Sequence, residues 1–260
     1  MRVIVTRPAA QAAAWVADLR RDGFDAVALP LIEITPPADL RPVQQAWHTL
    51  ARHRLLFFVS ANAVLHFFAQ RPPGAVWPAS TRAAAPGPGT AAALRAEGLP
   101  PAAVLEPADD AASFDSESLW ARLQAEPWAG CSVLVVRGEN GRDWLAEQLR
   151  AAGAEVHFLA AYTRGAPQPA PAGQALLAAA QADPARHLWL LSSSEAVQHL
   201  QALWGGAVPP GARALASHPR IAQTARAAGF TEVQLCAPDP AAVRQALRLA
   251  GGGSIQSGPP

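Results

Sequence analysis

Apolar residues fall in two kinds of run along this chain. Short blocks with almost no polar interruption lie at 2–6 (RVIVT), 55–59 (LLFFV), 132–136 (SVLVV) and 187–191 (HLWLL). Blocks apolar throughout, rather than alternating, predict strands covered on both faces. Between them apolar positions recur at helical spacing, as with Trp15 and Leu19 or Trp144, Leu145 and Leu149, which predicts helices packing one stripe on a core. Further strands are expected at 26–32 and 155–161, with shorter ones near 81–85, 102–105, 213–216 and 232–236. Helices are expected at about 61–70, 90–97, 116–125, 194–204, 221–228 and 240–249. Pro8 suits a first helical turn. Gly23 and Gly153 suit left-handed helix ends, and two further helices are expected to end at Gly98 and Gly229. Asp115-Ser116-Glu117 predicts a helix cap, and Ser192 with Glu195 has capping-box spacing. Strands alternating with helices imply parallel sheets with right-handed crossovers.

This pattern occurs twice. Residues 2–34 return at about 132–164, with Arg7 on Arg137, Leu19 on Leu149 and Gly23 on Gly153, each pair 130 positions apart. LLFFVSANAVLHFF (55–68) returns as LWLLSSSEAVQHLQ (188–201), and GPGTAAALRAEGL (87–99) as HPRIAQTARAAGF (218–230). A period this long means a duplicated domain rather than a solenoid, with a site expected where the two copies face each other. The Pro-rich stretches 34–43 and 163–173 read as linkers, yet each falls inside the repeat unit. The chain is therefore expected to cross between domains twice: 1–35 with 166–250 as one α/β domain, 36–165 as an inserted one, and 251–260 (GGGSIQSGPP) as a disordered tail.

Composition narrows the chemistry. With 260 residues, half of them hydrophobic, there is material for two cores, and the net charge of +1 gives no footprint for nucleic acid. Every basic residue is Arg, so lysine Schiff bases, pyridoxal enzymes and Walker-type phosphate loops are excluded. Cys131 and Cys236 are far apart and lack partners at ligand spacing, so buried free thiols are expected and no metal. The chain opens directly on a strand and has no apolar run of membrane length, so a cytoplasmic protein with no membrane partner is expected.

In open α/β sheets, ligands sit beyond the carboxyl ends of the strands, where helix N-termini present free N–H groups. The turns there are Thr6-Arg7, Ser60-Ala61-Asn62, Gly89-Thr90, Arg137-Gly138-Glu139, Ser192-Ser193-Ser194 and Ser217-His218-Pro219. Hydroxyls, amides and two matching arginines suit an anionic ligand, although Ser, Thr and Asn are also ordinary helix caps. Gly87-Pro88-Gly89-Thr90-Ala91-Ala92 matches a dinucleotide fingerprint, but it follows a weak strand and its repeat partner HPRIAQ has neither glycine, so no nucleotide cofactor is expected. No catalytic triad is legible. His66 and His199 occupy equivalent positions and read as packing or surface residues. Asp109-Asp110 lacks further ligands and reads as a solvated loop. Trp15 and Trp144 read as helix-face core. Tyr162, the sole tyrosine, closes an apolar strand beside the second Pro-rich stretch; it is either a linker-packing residue or a phenol reaching the space between domains.

Taken in order, VTRP (5–8), FVSANAV (58–64), GPGTAAAL (87–94), DSESL (115–119), VLVVRGENGRDWLAEQL (133–149), GAEVHFLAAYTR (153–164) and LLSSSEAV (190–197) resemble the uroporphyrinogen-III synthase family over about residues 1–250. The resemblance implies two similar, flavodoxin-like parallel α/β domains joined by a two-stranded connector, with an active-site cleft between them. It implies a cofactor-free, monomeric lyase of haem biosynthesis. Its substrate is hydroxymethylbilane, a carboxylate-rich linear tetrapyrrole that hydroxymethylbilane synthase would hand over, and ring D is inverted through a spiro intermediate with loss of water. It also implies Tyr162 as an acid for the departing hydroxyl, and the turns carrying Arg7, Ser60, Ala61, Asn62, Thr90, Arg137, Gly138, Ser192, Ser193, Ser194, Ser217 and His218 as carboxylate-binding. The sequence departs from the family at Ile221, where Thr is common; Thr90 keeps the equivalent residue in the other copy. A non-catalytic two-domain binder or degenerate paralogue is the alternative.

Overall fold

The computed structural model describes residues 1–108, 110–111, 113–139, 143–237 and 239–252. Asp109 and most of the tail expected to be disordered lie outside the described residues. In chain order the elements are β1 (Arg2–Val5), α1 (Ala9–Arg21), β2 (Asp25–Ala28), β3 (Glu33–Thr35), α2 (Arg41–Thr49), β4 (Leu55–Phe58), α3 (Ala61–Phe68), β5 (Arg82–Ala84), α4 (Pro88–Ala96), β6 (Val104–Leu105) and α5 (Ser116–Leu123). They continue with β7 (Ser132–Gly138), α6 (Trp144–Ala151), β8 (Glu155–Gly165), α7 (Pro171–Ala182), β9 (His187–Leu191), α8 (Ser194–Leu203), β10 (Arg213–Ala216), α9 (Pro219–Ala228), β11 (Glu232–Leu235) and α10 (Pro240–Gly252).

Two compact units result: a split one from Met1–Glu33 and Gly165–Pro260, and an inserted one from Ile34–Arg164. The split unit carries a five-stranded sheet in the order β11-β10-β9-β1-β2, and the inserted unit's sheet runs β3-β8-β7-β4-β5-β6. Counted within the split unit this is the 2-1-3-4-5 order of flavodoxin-like sheets, and its neighbouring strands pair in parallel. The inserted unit has the same order if β7 and β8 take the places of β1 and β2, and β4, β5 and β6 those of β9, β10 and β11. Each sheet thus joins the front of one sequence copy to the rear of the other. The passages between units fall within β3 and β8, which are neighbours in one sheet and whose Thr35 and Thr163 hydroxyls stand 2.7 Å apart.

Side chains alternate across each sheet as period-two geometry requires. In the inserted unit Leu56, Phe58, Ala83, Ala85, Leu134 and Val136 face the layer of α2, α3 and α4. Leu55, Phe57, Ala84, Val133 and Val135 face α5 and α6, with Leu119, Leu123 and Trp128. In the split unit Val3, Val5, Leu188, Leu190 and Leu215 meet Val16 and Leu19 of α1 and Val243 and Leu247 of α10. Burying strands on both faces explains why their sequences carry no polar alternation.

Several expectations need correction. Residues 34–43 and 163–173 are not simple linkers: they contain the ends of β3 and β8 and the starts of α2 and α7, two helices whose first turns accept proline. β2 ends at Ala28 rather than 32, short of Pro30, which has no N–H for a ladder. Pro8 is the residue before α1, not within it. Ser193, not Ser192, is the residue that precedes α8, and its side chain makes no cap bond, so the expected cap is one residue out of register. Cys131 and Cys236 are free but half-buried. Trp15 and Trp144 pack on their cores only in part. The helix-ending glycines do adopt positive φ: 86° at Gly23, 92° at Gly98, 92° at Gly153 and 111° at Gly229. Asp115 Oδ1 accepts the Ser118 amide of α5 at 2.8 Å.

Candidate functional site

In the split unit, the switch in strand order falls between β1 and β9, and the residues just beyond these strands line a small, half-open pocket. Arg7, Ser192 and Ser217 reach it, together with Trp15, Leu191 and Cys236. The Arg7 guanidinium lies 4.6 Å over the Trp15 ring and makes a long hydrogen bond, 3.5 Å, to Gln11 Oε1. Burial pulls its pKa below the ordinary arginine value. Among the described residues no ion pair neutralises it, so a cation that has lost water retains its capacity for an anion.

The neighbouring predicted residues have other work. Thr6, 1 % exposed, donates its hydroxyl to the Leu190 carbonyl at 2.6 Å and ties β1 to β9. Ser194 Oγ is 3.1 Å from Thr224 Oγ1. His218 precedes α9 and accepts the Arg220 amide on Nδ1 at 3.1 Å, which makes it a helix cap. Ile221 is buried, and its amide donates to the His218 carbonyl at 3.0 Å. The same turn forms at Thr90, whose amide donates to the Gly87 carbonyl at 3.2 Å. The backbone of the repeated turn is kept while the hydroxyl is exchanged for an alkyl group.

In the inserted unit the equivalent switch lies between β7 and β4. Ser60 starts α3 in extended conformation, its Oγ accepting the Ala63 amide at 3.3 Å. That hydroxyl is also 3.2 Å from Tyr162 Oη. The Tyr162 ring is 5 % exposed within the unit's hydrophobic cluster, packs on Gly138 and lies 5.9 Å from the His66 ring. Burial lowers the pKa of His66. Asn62 and Thr90 are buried on the first turns of α3 and α4, beside the half-buried Ala61. Arg137, 15 % exposed in its side chain, is paired with Asp143 and stacks 4.6 Å over Phe158, so its charge is spent within the fold.

Of the predicted residues, the structure brings together Arg7, Ser192 and Ser217 in one unit, and Ser60, Gly138 and Tyr162 in the other. Trp15 and His66 are the neighbours missed by sequence reasoning. His66 had a signal: it and His199 stand at matching positions, and both turn toward the end of the second strand–helix–strand strand, His199 Nδ1 lying 2.7 Å from the Leu31 carbonyl oxygen. Among the described residues no group of three or more His, Cys, Asp or Glu is arranged to hold a metal, and no helix is long and apolar enough to cross a membrane.

The family model described as uroporphyrinogen-III synthase HemD matches residues 13–242. A uroporphyrinogen-III synthase of Salmonella typhimurium is 34 % identical over 168 residues, covering 63 % of this chain and 65 % of that protein. One from Synechococcus elongatus is 32 % identical over 209 residues, covering 76 % of this chain and 72 % of that one. The crystal structure of uroporphyrinogen-III synthetase from Helicobacter pylori shares the fold at TM-score 0.60 and 17 % identity, covering 96 % of this chain and 100 % of that one.

Proposed function

The chain belongs to the uroporphyrinogen-III synthase family, and on that premise we propose that it closes hydroxymethylbilane to uroporphyrinogen III with inversion of ring D. The reaction begins when the terminal hydroxyl leaves with a proton as water, giving an electrophilic azafulvene. The substituted carbon of ring D attacks it. The resulting spiro intermediate fragments at the bond to the neighbouring ring and recloses through the other carbon. Both reacting carbons belong to the substrate, so the protein's main task is to hold a flexible chain in one fold, and orientation of this kind contributes about 7–11 kcal/mol in favourable cases.

The observation that carries the reading is Arg7, a partly desolvated guanidinium facing Ser192 and Ser217 in a pocket at the carboxyl ends of β1, β9 and β10. A carboxylate entering there gains a charge-assisted hydrogen bond and gives up at most the long contact to Gln11. Tyr162 supplies the proton side of dehydration. Ser60 Oγ already accepts the Ala63 amide, so its own hydrogen can point to Tyr162 Oη, leaving the phenolic hydrogen for the departing hydroxyl. Because hydroxymethylbilane closes without inversion when left in water, direct transfer from its synthase to a cytoplasmic monomer belongs to the same reading.

The test supplies porphobilinogen and hydroxymethylbilane synthase and measures the oxidised isomers. The protein should shift the product from isomer I to isomer III; isomer I alone would refute the enzyme reading in favour of a non-catalytic binder. Tyr162→Phe should lower kcat by about a hundredfold or more, and unchanged turnover would remove Tyr162 from the chemistry.

A further inference from the structure

Gly138 ends β7 in a buried position. Its backbone lies outside the left-handed region that would call for glycine. The reason for a missing side chain is instead its neighbour: a Cβ at this position would stand 2.9 Å from Tyr162 Cε2, 3.1 Å from Cζ and 3.4 Å from the hydroxyl oxygen. The contact is produced by an irregularity between the two strands. Arg137 pairs with Ala160, but Gly138 pairs with Tyr162, so the register skips Ala161. Such irregularities re-aim a side chain, and here the phenol is turned onto the one residue of β7 able to receive it. The sequence repeat agrees, since the first-copy counterparts of Gly138 and Tyr162 are Pro8 and Ile32. Both members of the pair are exchanged together.

We infer that Gly138 is a positioning residue for Tyr162: by lacking a side chain it seats the phenol against β7 and sets its hydroxyl 3.2 Å from Ser60 Oγ. Its place in the reaction rests on the reading of Tyr162 as the acid. Gly138 touches no substrate in this account, and its effect passes through the ring. The ring's far edge has two side-chain torsions with which to yield, so a methyl group at 138 displaces the hydroxyl in preference to unfolding the sheet.

The sole tyrosine makes this measurable apart from turnover. Incorporated 3-fluorotyrosine gives one 19F resonance, reporting Tyr162 alone. Gly138→Ala should displace that resonance, lower kcat for isomer III by about ten- to a hundredfold, as small misplacements of a catalytic group do, and leave KM within about twofold. The loss should vanish when Gly138→Ala is made on a Tyr162→Phe background. A resonance that coincides with that of the unsubstituted protein overturns the proposal. So does a displaced resonance with unchanged turnover, and Tyr162→Phe alone then decides whether the acid reading survives. If Gly138→Ala does not fold, Gly138→Ala with Tyr162→Ala is the deciding variant. Recovered folding supports the contact, and continued misfolding overturns it.

Discussion

Arg7 and Arg137 sit on matching turns of the two copies and reach opposite fates. Arg137 has Asp143 and the face of Phe158, whereas among the described residues Arg7 has no ion pair and meets Trp15 and, at long range, Gln11. Sequence made them equals because identity and spacing are the same; what differs is which groups surround each, Asp143 and Phe158 at one and Gln11 and Trp15 at the other, and which of these a guanidinium meets is decided by packing. On the proposed reaction, Arg7→Gln should therefore raise KM for the tetrapyrrole by roughly 10- to 100-fold, the equivalent of one charge-assisted hydrogen bond, with little change in urea midpoint. Arg137→Gln should do the reverse, costing about 1–2 kcal/mol of stability through a lost cation–π contact and ion pair while KM stays near that of the parent. Steady-state kinetics and urea titration on both variants check the contrast, which fails if the two behave alike.

Helices that follow a legible strand could be read even where they open on proline, as α4, α9 and α10 do; the two that follow Pro-rich segments could not. α2 and α7 begin with Pro42 and Pro171 in their first turns, after Pro-rich segments that read as linkers. Proline costs nothing at a first turn because the missing N–H is one the helix leaves unpaired anyway. Trp47 was the overlooked sign: a large aromatic that the structure buries against Phe67 and Phe68 does not belong to a free linker. Caps were legible only where one acceptor decides the geometry. Asp115 accepts an amide of α5, whereas Ser192, Ser193 and Ser194 offer three registers, and the sequence cannot choose among them. Asp115→Ala should destabilise the protein by about 0.5–2 kcal/mol, the usual worth of such a cap, seen as a lower urea midpoint; no shift would mean that α5 is held by Leu119 and Leu123 alone.

For the chain as a whole, the duplication and the Pro-rich segments point to two crossings. Contact density divides it at Glu33/Ile34 and Arg164/Gly165. The inserted unit is one continuous segment with cores on both faces of its sheet, so residues 34–164 expressed alone should show native-like circular dichroism and a single cooperative melt. A featureless melt would mean that this unit needs the rest of the chain. By itself the sequence determined the α/β class, the two copies and the turns worth inspecting, because hydrophobic period, glycine stops and repeat register are local properties written residue by residue. Only the tertiary structure decided the order of the strands within each sheet, that Arg7 has no ion-pair partner among the described residues, and that Gly138 faces Tyr162. Strand order and the skipped register beside Gly138 come from pairing between distant segments, and the surroundings of Arg7 from how its turn packs; none of these leaves a trace in the spacing of residues along one strand.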